Sequence, residues 1–267
     1  MTTRVIWLAA LLVVPSLLVA QREAPSQRWR FIDQRDGLCV WFLADTTTLA
    51  EGMPRGVAPR AASGVTELPA SLTRVLADEP RFAAWTPGVV CAERFGSVQL
   101  GDNEVGRARD DGPGYLLTMV ALATEGGAGW TVLELGTDLT PLQRRGAEVA
   151  LRVADRKIRA TPGGENEDPT WEIGLDGAKL VWTGHPTGEA RVASTRSMSF
   201  GYTGNRNTSW SGTLSATEGS ERAQVGALRV DGKGWLAKAL KASPIRAVGA
   251  VATGGTLEVT LSRQSGR

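Results

Sequence analysis

Two cysteines, one histidine and 28 carboxylates are the groups with which this chain could do chemistry. Cys39 and Cys91 each sit in a strand-like apolar run, Leu38–Phe42 and Val89–Ala92. Two cysteines cannot supply a closed structural zinc site, and a single histidine, His185, rules out a zinc centre built from several histidines. In an oxidising compartment the two thiols pair most simply with each other, the alternative being two free buried thiols. Such a bridge closes a loop of about 50 residues and contributes ~4 kcal/mol in the chain-entropy picture.

His185 stands in Gly184-His185-Pro186-Thr187-Gly188, a sequence that reads as a surface loop after a strand. As a general base it would need a serine and an orienting carboxylate brought in by folding. No serine lies in a Gly-x-Ser-x-Gly elbow. The nearest approach to a phosphate loop is Ala227–Lys233. There Ala227 stands where the first glycine is required, and Gly234 replaces the magnesium-binding Ser or Thr, so Gly232-Lys233 reads as a turn. Two loops gather acids, Asp102, Glu104, Asp110 and Asp111 in one and Glu165, Glu167 and Asp168 in the other. Oxygen-rich loops can hold calcium, but neither has EF-hand spacing, and both read as solvated charge. Paired carboxylates could also hydrolyse glycosides, yet no pair is marked out. Glu172 alternates with Trp171 and Ile173 and faces Lys179 across a turn, which predicts a cross-strand ion pair. Trp171, Trp182 and Trp210 fall on the apolar phase of their strands and are expected to be buried. No catalytic, cofactor-binding or metal-binding residue is assigned. The site residues assigned are Cys39 and Cys91, as a disulfide.

The elements around these residues are mostly strands. Trp29–Asp33 and Leu38–Leu43 read as two strands joined by a turn at Arg35-Asp36-Gly37. Leu68, Leu72, Val75 and Leu76 recur at helical spacing, with Pro69 at the start and Pro80 past the end. Val89–Arg94 and Ser97–Leu100 are strand-like, and Gly101–Gly114 is a polar loop. Tyr115–Thr124 and Trp130–Leu135 flank a glycine-rich connection and predict a long hairpin. Asp138–Gly146 reads as a short helix or linker, followed by a strand pair at Ala147–Val153 and Arg156–Thr161. Asp176-Gly177 is a two-residue hairpin signal between Trp171–Leu175 and Ala178–Thr183. Met198, Phe200 and Tyr202, then Trp210, Gly212 and Leu214, alternate with Ser and Thr, so one apolar face must lie against another sheet. Gln224–Val230 is a further strand, Lys233–Lys241 a short helix, and Ile245–Ala252 with Thr256–Leu261 a closing hairpin through Thr253-Gly254-Gly255. A weak echo links Ala147–Asp155 with Ala223–Asp231. The expected fold is mainly β: an N-terminal α+β region, residues 21–140, followed by an antiparallel β-sandwich or open barrel with a short helix, residues 141–267.

Residues 1–20 read as a cleavable leader. Arg4 supplies the charge, Val5–Val14 the unbroken apolar run, and Ala20 the residue before a polar stretch. Val5–Ala20 falls short of the roughly 20 residues a spanning helix needs, and Pro15 interrupts it. No later segment is apolar enough to span. The leader holds one of the 30 basic residues and none of the 28 acids, so the mature chain is close to neutral. That balance gives no electrostatic reason to expect nucleic acid or an anionic membrane as partner. The sequence therefore points to an exported, periplasmic or extracellular protein, more a binding or structural module than an enzyme. Its expected partner is an envelope protein or a glycan, and no cofactor is implied. A carboxylate hydrolase and a small-ligand carrier with a barrel cavity are the alternatives.

Overall fold

A computed structural model describes residues 27–53, 57–66, 68–125, 129–148, 153–154, 158–161, 168–175, 177–193, 196–203, 209–217, 219–252 and 255–264. The leader, Glu165, Glu167 and the expected turns at Asp176 and Asn205 lie outside them.

The chain is mainly β. Its strands are β1 (Gln27–Ala44), β2 (Thr86–Leu100), β3 (Asn103–Arg107), β4 (Tyr115–Ala123), β5 (Gly129–Thr137), β6 (Val153–Ala154), β7 (Ile158–Thr161), β8 (Thr170–Leu175), β9 (Ala178–Ala193), β10 (Arg196–Thr203), β11 (Ser209–Thr217), β12 (Gly219–Gly232), β13 (Arg246–Ala252) and β14 (Thr256–Gln264). Four α-helices are interspersed among the described residues: α1 (Thr46–Ala50), α2 (Ala70–Asp78), α3 (Thr140–Glu148) and α4 (Trp235–Ala242). Among the described residues no helix is long and apolar enough to cross a membrane.

Trp29–Asp33 and Leu38–Leu43 are not two strands with a turn. They are the two ends of β1, and the turn-like Arg35-Asp36-Gly37 sits at a bulge, where pairing with β2 shifts between Gln34 and Asp36. Asp33 absorbs the kink in the left-handed region, φ 60°. Likewise Val89–Arg94 and Ser97–Leu100 are one strand, β2, and the supposed polar loop after it contains β3.

The expected closing hairpin is also corrected. β13 and β14 do not pair with each other; both run along one edge of β1. Asp36 faces Ala252 and Phe31 faces Leu257 in the same register, so β13 and β14 act as one long strand with a break between them. At that break the Gln34 N–H donates to the Gly255 carbonyl over 2.9 Å.

The break lets the sheet fork. On one side the pairing β1–β2–β4–β5–β10–β11–β14–β1 closes a ring of strands, with β3 attached to β2 and β6 to β5. The seam β5–β10 is parallel and pairs Ser199 with Gly129 and Phe200 with Trp130. On the other side β13 leads to β12, β9, β8 and β7. Of the expected pair at 147–153 and 156–161, the described residues do not pair with each other. Ala147 and Glu148 end α3, while β6 joins β5 in parallel and β7 joins β8. The 170–183 hairpin forms as expected around Gly177, φ 68°, and β10 pairs β11 with Met198 opposite Leu214 and Tyr202 opposite Trp210.

Period-2 alternation on the shared strands builds two cores. Trp29, Phe31, Val89, Cys91, Phe95, Met119, Leu135 and Val259 belong to the inner core of the ring. Leu38, Val40, Phe42, Val90, Ala92, Val120 and Leu122 face the other way and meet Ile173, Leu180, Trp182 and α4 of the second branch. Each fully buried Phe or Leu here contributes about 1.5–3 kcal/mol. The third cluster, Leu43, Leu72 and Phe82, packs α2 against the end of β1. Its helix begins after Pro69, as the spacing predicts.

Candidate functional site

The inner face of the ring carries the chain's most unusual set of side chains. Cys39 and Cys91 are directly opposed on β1 and β2, and a disulfide joins them, with Cα atoms 4.1 Å apart. Directly opposed residues of an antiparallel pair send their side chains to the same face, and such closeness marks a non-hydrogen-bonded pair. Cys91 is buried at 7% exposure and Cys39 is partly buried. Two residues along β2, the strand period returns Glu93 to this face. A Glu93 carboxylate oxygen and both sulfurs lie within 4.8 Å of one another. Among the described residues no other set of three Cys, His, Asp or Glu groups converges this closely.

Toward one end of the ring this cluster gives way to aromatics. Trp41, two residues from Cys39, meets Trp130 of β5 edge to face, with ring centres 5.8 Å apart. Both indoles are half-buried, so each keeps exposed surface. Toward the other end Phe31 and Phe95 pack at 5.2 Å, and Leu139 and Leu142 from the α3 region complete the core. Among the described side chains the inner face is thus mostly apolar, and it carries Glu93 and the disulfide beside the buried polar residues Gln34 and Thr137.

The opposite face of the same strands holds a charged group at its edge. Arg94 is 13% exposed and reaches Asp36 over 3.7 Å. Its guanidinium lies 5.5 Å from the centre of the Trp171 ring. Burial raises the Asp36 carboxyl above its ordinary range, against the pull of Arg94 and Arg35. Nearby strands contribute two buried polar atoms with no partner among the described residues, Thr118 Oγ1 and Trp182 Nε1. Trp182 is buried as expected, Trp171 only half so, and the Trp210 side chain lies outside the described residues.

The sequence-derived candidates are dispersed. His185 is not in a loop: β9 continues through it, opposite Val225 of β12. Its Nδ1 lies 3.0 Å from Asp168 Oδ1, both side chains being about half exposed. Glu104 is exposed and bonded to Arg107, while Asp102, Asp110 and Asp111 sit in turns and do not converge with it. Glu172 pairs with Lys179 over 2.8 Å, as predicted. Glu93, Asp36 and Arg94 were not singled out by the sequence, although Cys91-Ala92-Glu93 has the spacing that places the first and third residues on one face of a strand.

No family model matches the chain, and neither does any curated protein sequence. Solved structures do. The acetoacetate decarboxylase from Legionella pneumophila subsp. pneumophila str. Philadelphia 1 superposes with a TM-score of 0.51 at 10% identity, covering 91% of this chain and 89% of that one. An acetoacetate decarboxylase-like enzyme from Sphingomonas wittichii RW1 gives a TM-score of 0.49 at 13% identity over 96% and 99% of the two chains. At these identities the likeness to the Legionella structure is one of fold. It fits the closed ring traced from the strand pairing.

Proposed function

We propose that this chain is an exported binding module of the cell envelope or extracellular space, taking up an apolar small ligand at the Trp41–Trp130 end of its barrel. One observation carries the reading: the inner wall is apolar and aromatic, with two half-buried indoles at one end. Such a wall can bury an apolar ligand's surface, and the indole rims can orient it. The leader-like residues 1–20 and the cysteine pair support export into an oxidising compartment.

The fold's likeness to a decarboxylase raises catalysis as the rival. An acetoacetate decarboxylase works through a lysine amine made nucleophilic by its surroundings. This chain has the lysines Lys157, Lys179, Lys233, Lys238 and Lys241, and none falls within the described strands of the ring. Lys179 is paired with Glu172 on the second branch, Lys238 with Glu51, and Lys241 with the Gly232 carbonyl. Binding without amine chemistry is the reading that fits these residues.

Native protein should carry an N-terminus near Gln21 by mass spectrometry. The purified mature chain should bind a hydrophobic naphthalene-type fluorophore, with quenching of tryptophan emission, and Trp130→Ala should weaken that binding about tenfold. An intact Met1 in native material would sink the export reading. Undiminished binding by the variant would sink the site. Borohydride with a β-keto acid should leave the protein's mass unchanged, and a trapped adduct would restore the decarboxylase.

A further inference from the structure

We propose that reduction of the Cys39–Cys91 disulfide turns the cluster with Glu93 into a redox-gated binding site for a zinc-class divalent cation on the inner wall of the ring. Three potential ligand atoms, the two sulfurs and a Glu93 oxygen, already converge within 4.8 Å on strands that the sheet holds in register. Cys39 faces Cys91 directly, and Ala92 alone separates Cys91 from Glu93, so all three side chains leave the same face. Two thiolates and a carboxylate are a donor set suited to Zn2+, and three protein ligands leave a fourth position open to water. Tetrahedral coordination at a Zn–S distance of about 2.3 Å separates two sulfurs by about 3.8 Å. Rotation about the two Cα–Cβ bonds supplies that separation once the S–S bond is gone.

The chemistry balances with a named reductant. An external dithiol delivers two electrons and two protons, is itself oxidised to its disulfide, and leaves Cys39 and Cys91 as thiols. Metal binding then displaces both thiol protons to solvent, while Glu93 joins as carboxylate. The oxidised chain has no thiolates to offer, so the same pair of residues is a crosslink in one redox state and a ligand pair in the other. The neighbouring wall, with Met119, Leu117 and Leu135, is apolar. Displacing water from it strengthens the pull of the metal on its anionic ligands.

The test is a cobalt titration of the folded protein after reduction with a phosphine, which does not itself supply a competing thiol. One Co2+ per chain should bind and give the intense near-ultraviolet thiolate-to-cobalt band, and Zn2+ should displace it. The disulfide form should take up none. Glu93→Gln should keep the band and weaken affinity at least tenfold, about the scale seen when metal-site residues are removed. Circular dichroism on the same samples reports whether the reduced chain keeps its β structure. A folded reduced chain without the band overturns the proposal. So does equal affinity in Glu93→Gln, or a band that appears only once the β signal is lost. The result is separable from the ligand reading, since fluorophore binding at Trp41 and Trp130 is measured on the oxidised protein.

Discussion

Asp45 shows how a single side chain sets a local boundary. It ends β1 and caps α1, its carboxylate accepting from the Thr48 backbone N–H at 2.8 Å and from the Thr48 hydroxyl at 2.8 Å. The backbone bond is the main reason its carboxyl sits below the ordinary value of 3.8. A lowered native value means that the unfolded chain binds the proton more tightly. The stabilisation is therefore present above the unfolded value and is lost as pH falls through the folded one. Asp45→Ala should lower unfolding free energy by about 1 kcal/mol at neutral pH, as loss of a helix cap does, with the difference shrinking in acid. Denaturant melts at pH 7 and pH 3 measure it. Asp36 has the opposite sign: burial raises it, so the charged form is what the fold tolerates less. At this scale much was legible. Glu172 with Lys179 and the burial of Trp182 followed from alternation alone. Glu93 was harder, because its meaning depends on Cys39 arriving from another strand.

Local composition states where the chain can bend, and distant partners decide whether it does. On both sides of Asp176-Gly177 β8 and β9 pair at once, Leu175 facing Ala178, so the expected hairpin forms there. Arg35-Asp36-Gly37 has similar composition, yet β2 holds the flanking residues in one continuous ladder, and the signal resolves into a bulge. The segment Thr253-Gly254-Gly255 reads as a hairpin for the same reason, and the register along β1 keeps its two sides collinear instead. Helices α2 and α4 were readable because their apolar spacing needs no remote partner to be seen. Gly226 makes another element-scale demand. It lies opposite Gly184, and a β-carbon there would collide with the Thr183 carbonyl oxygen and the Gly184 Cα. Both are backbone atoms of β9 and cannot swing aside. Gly226→Ala should therefore destabilise the chain by about 1–3 kcal/mol, read as a shift in urea midpoint with an unchanged slope.

For the molecule as a whole, β1 is the shared spine. It carries inner-core residues and second-core residues on its two faces, and it borders β2, β13 and β14 at once. The disulfide pins β1 to β2 where β13, through Gly249, lies on β1's other edge. The mainly β character was legible from turn spacing and alternation. The closure into a ring was not, because it rests on pairings such as Arg28 with Thr260 and on the parallel seam at Ser199 and Phe200. Nothing in a local window announces contacts of that span. A chain truncated after Ser243 loses both β13 and β14, opening the ring and detaching the second branch. It should fail to give a cooperative urea transition, and a sharp transition in that variant would show that the spine does not need its late partners.

The position of that spine has a consequence in time. The first described strand of the chain must wait for the last two before its edge is covered. Synthesis at about 5–20 residues per second separates them by roughly ten seconds or more. Until then that edge's hydrogen-bonding groups stand open to any passing strand, and the ring can lock only after residues 246–264 have emerged.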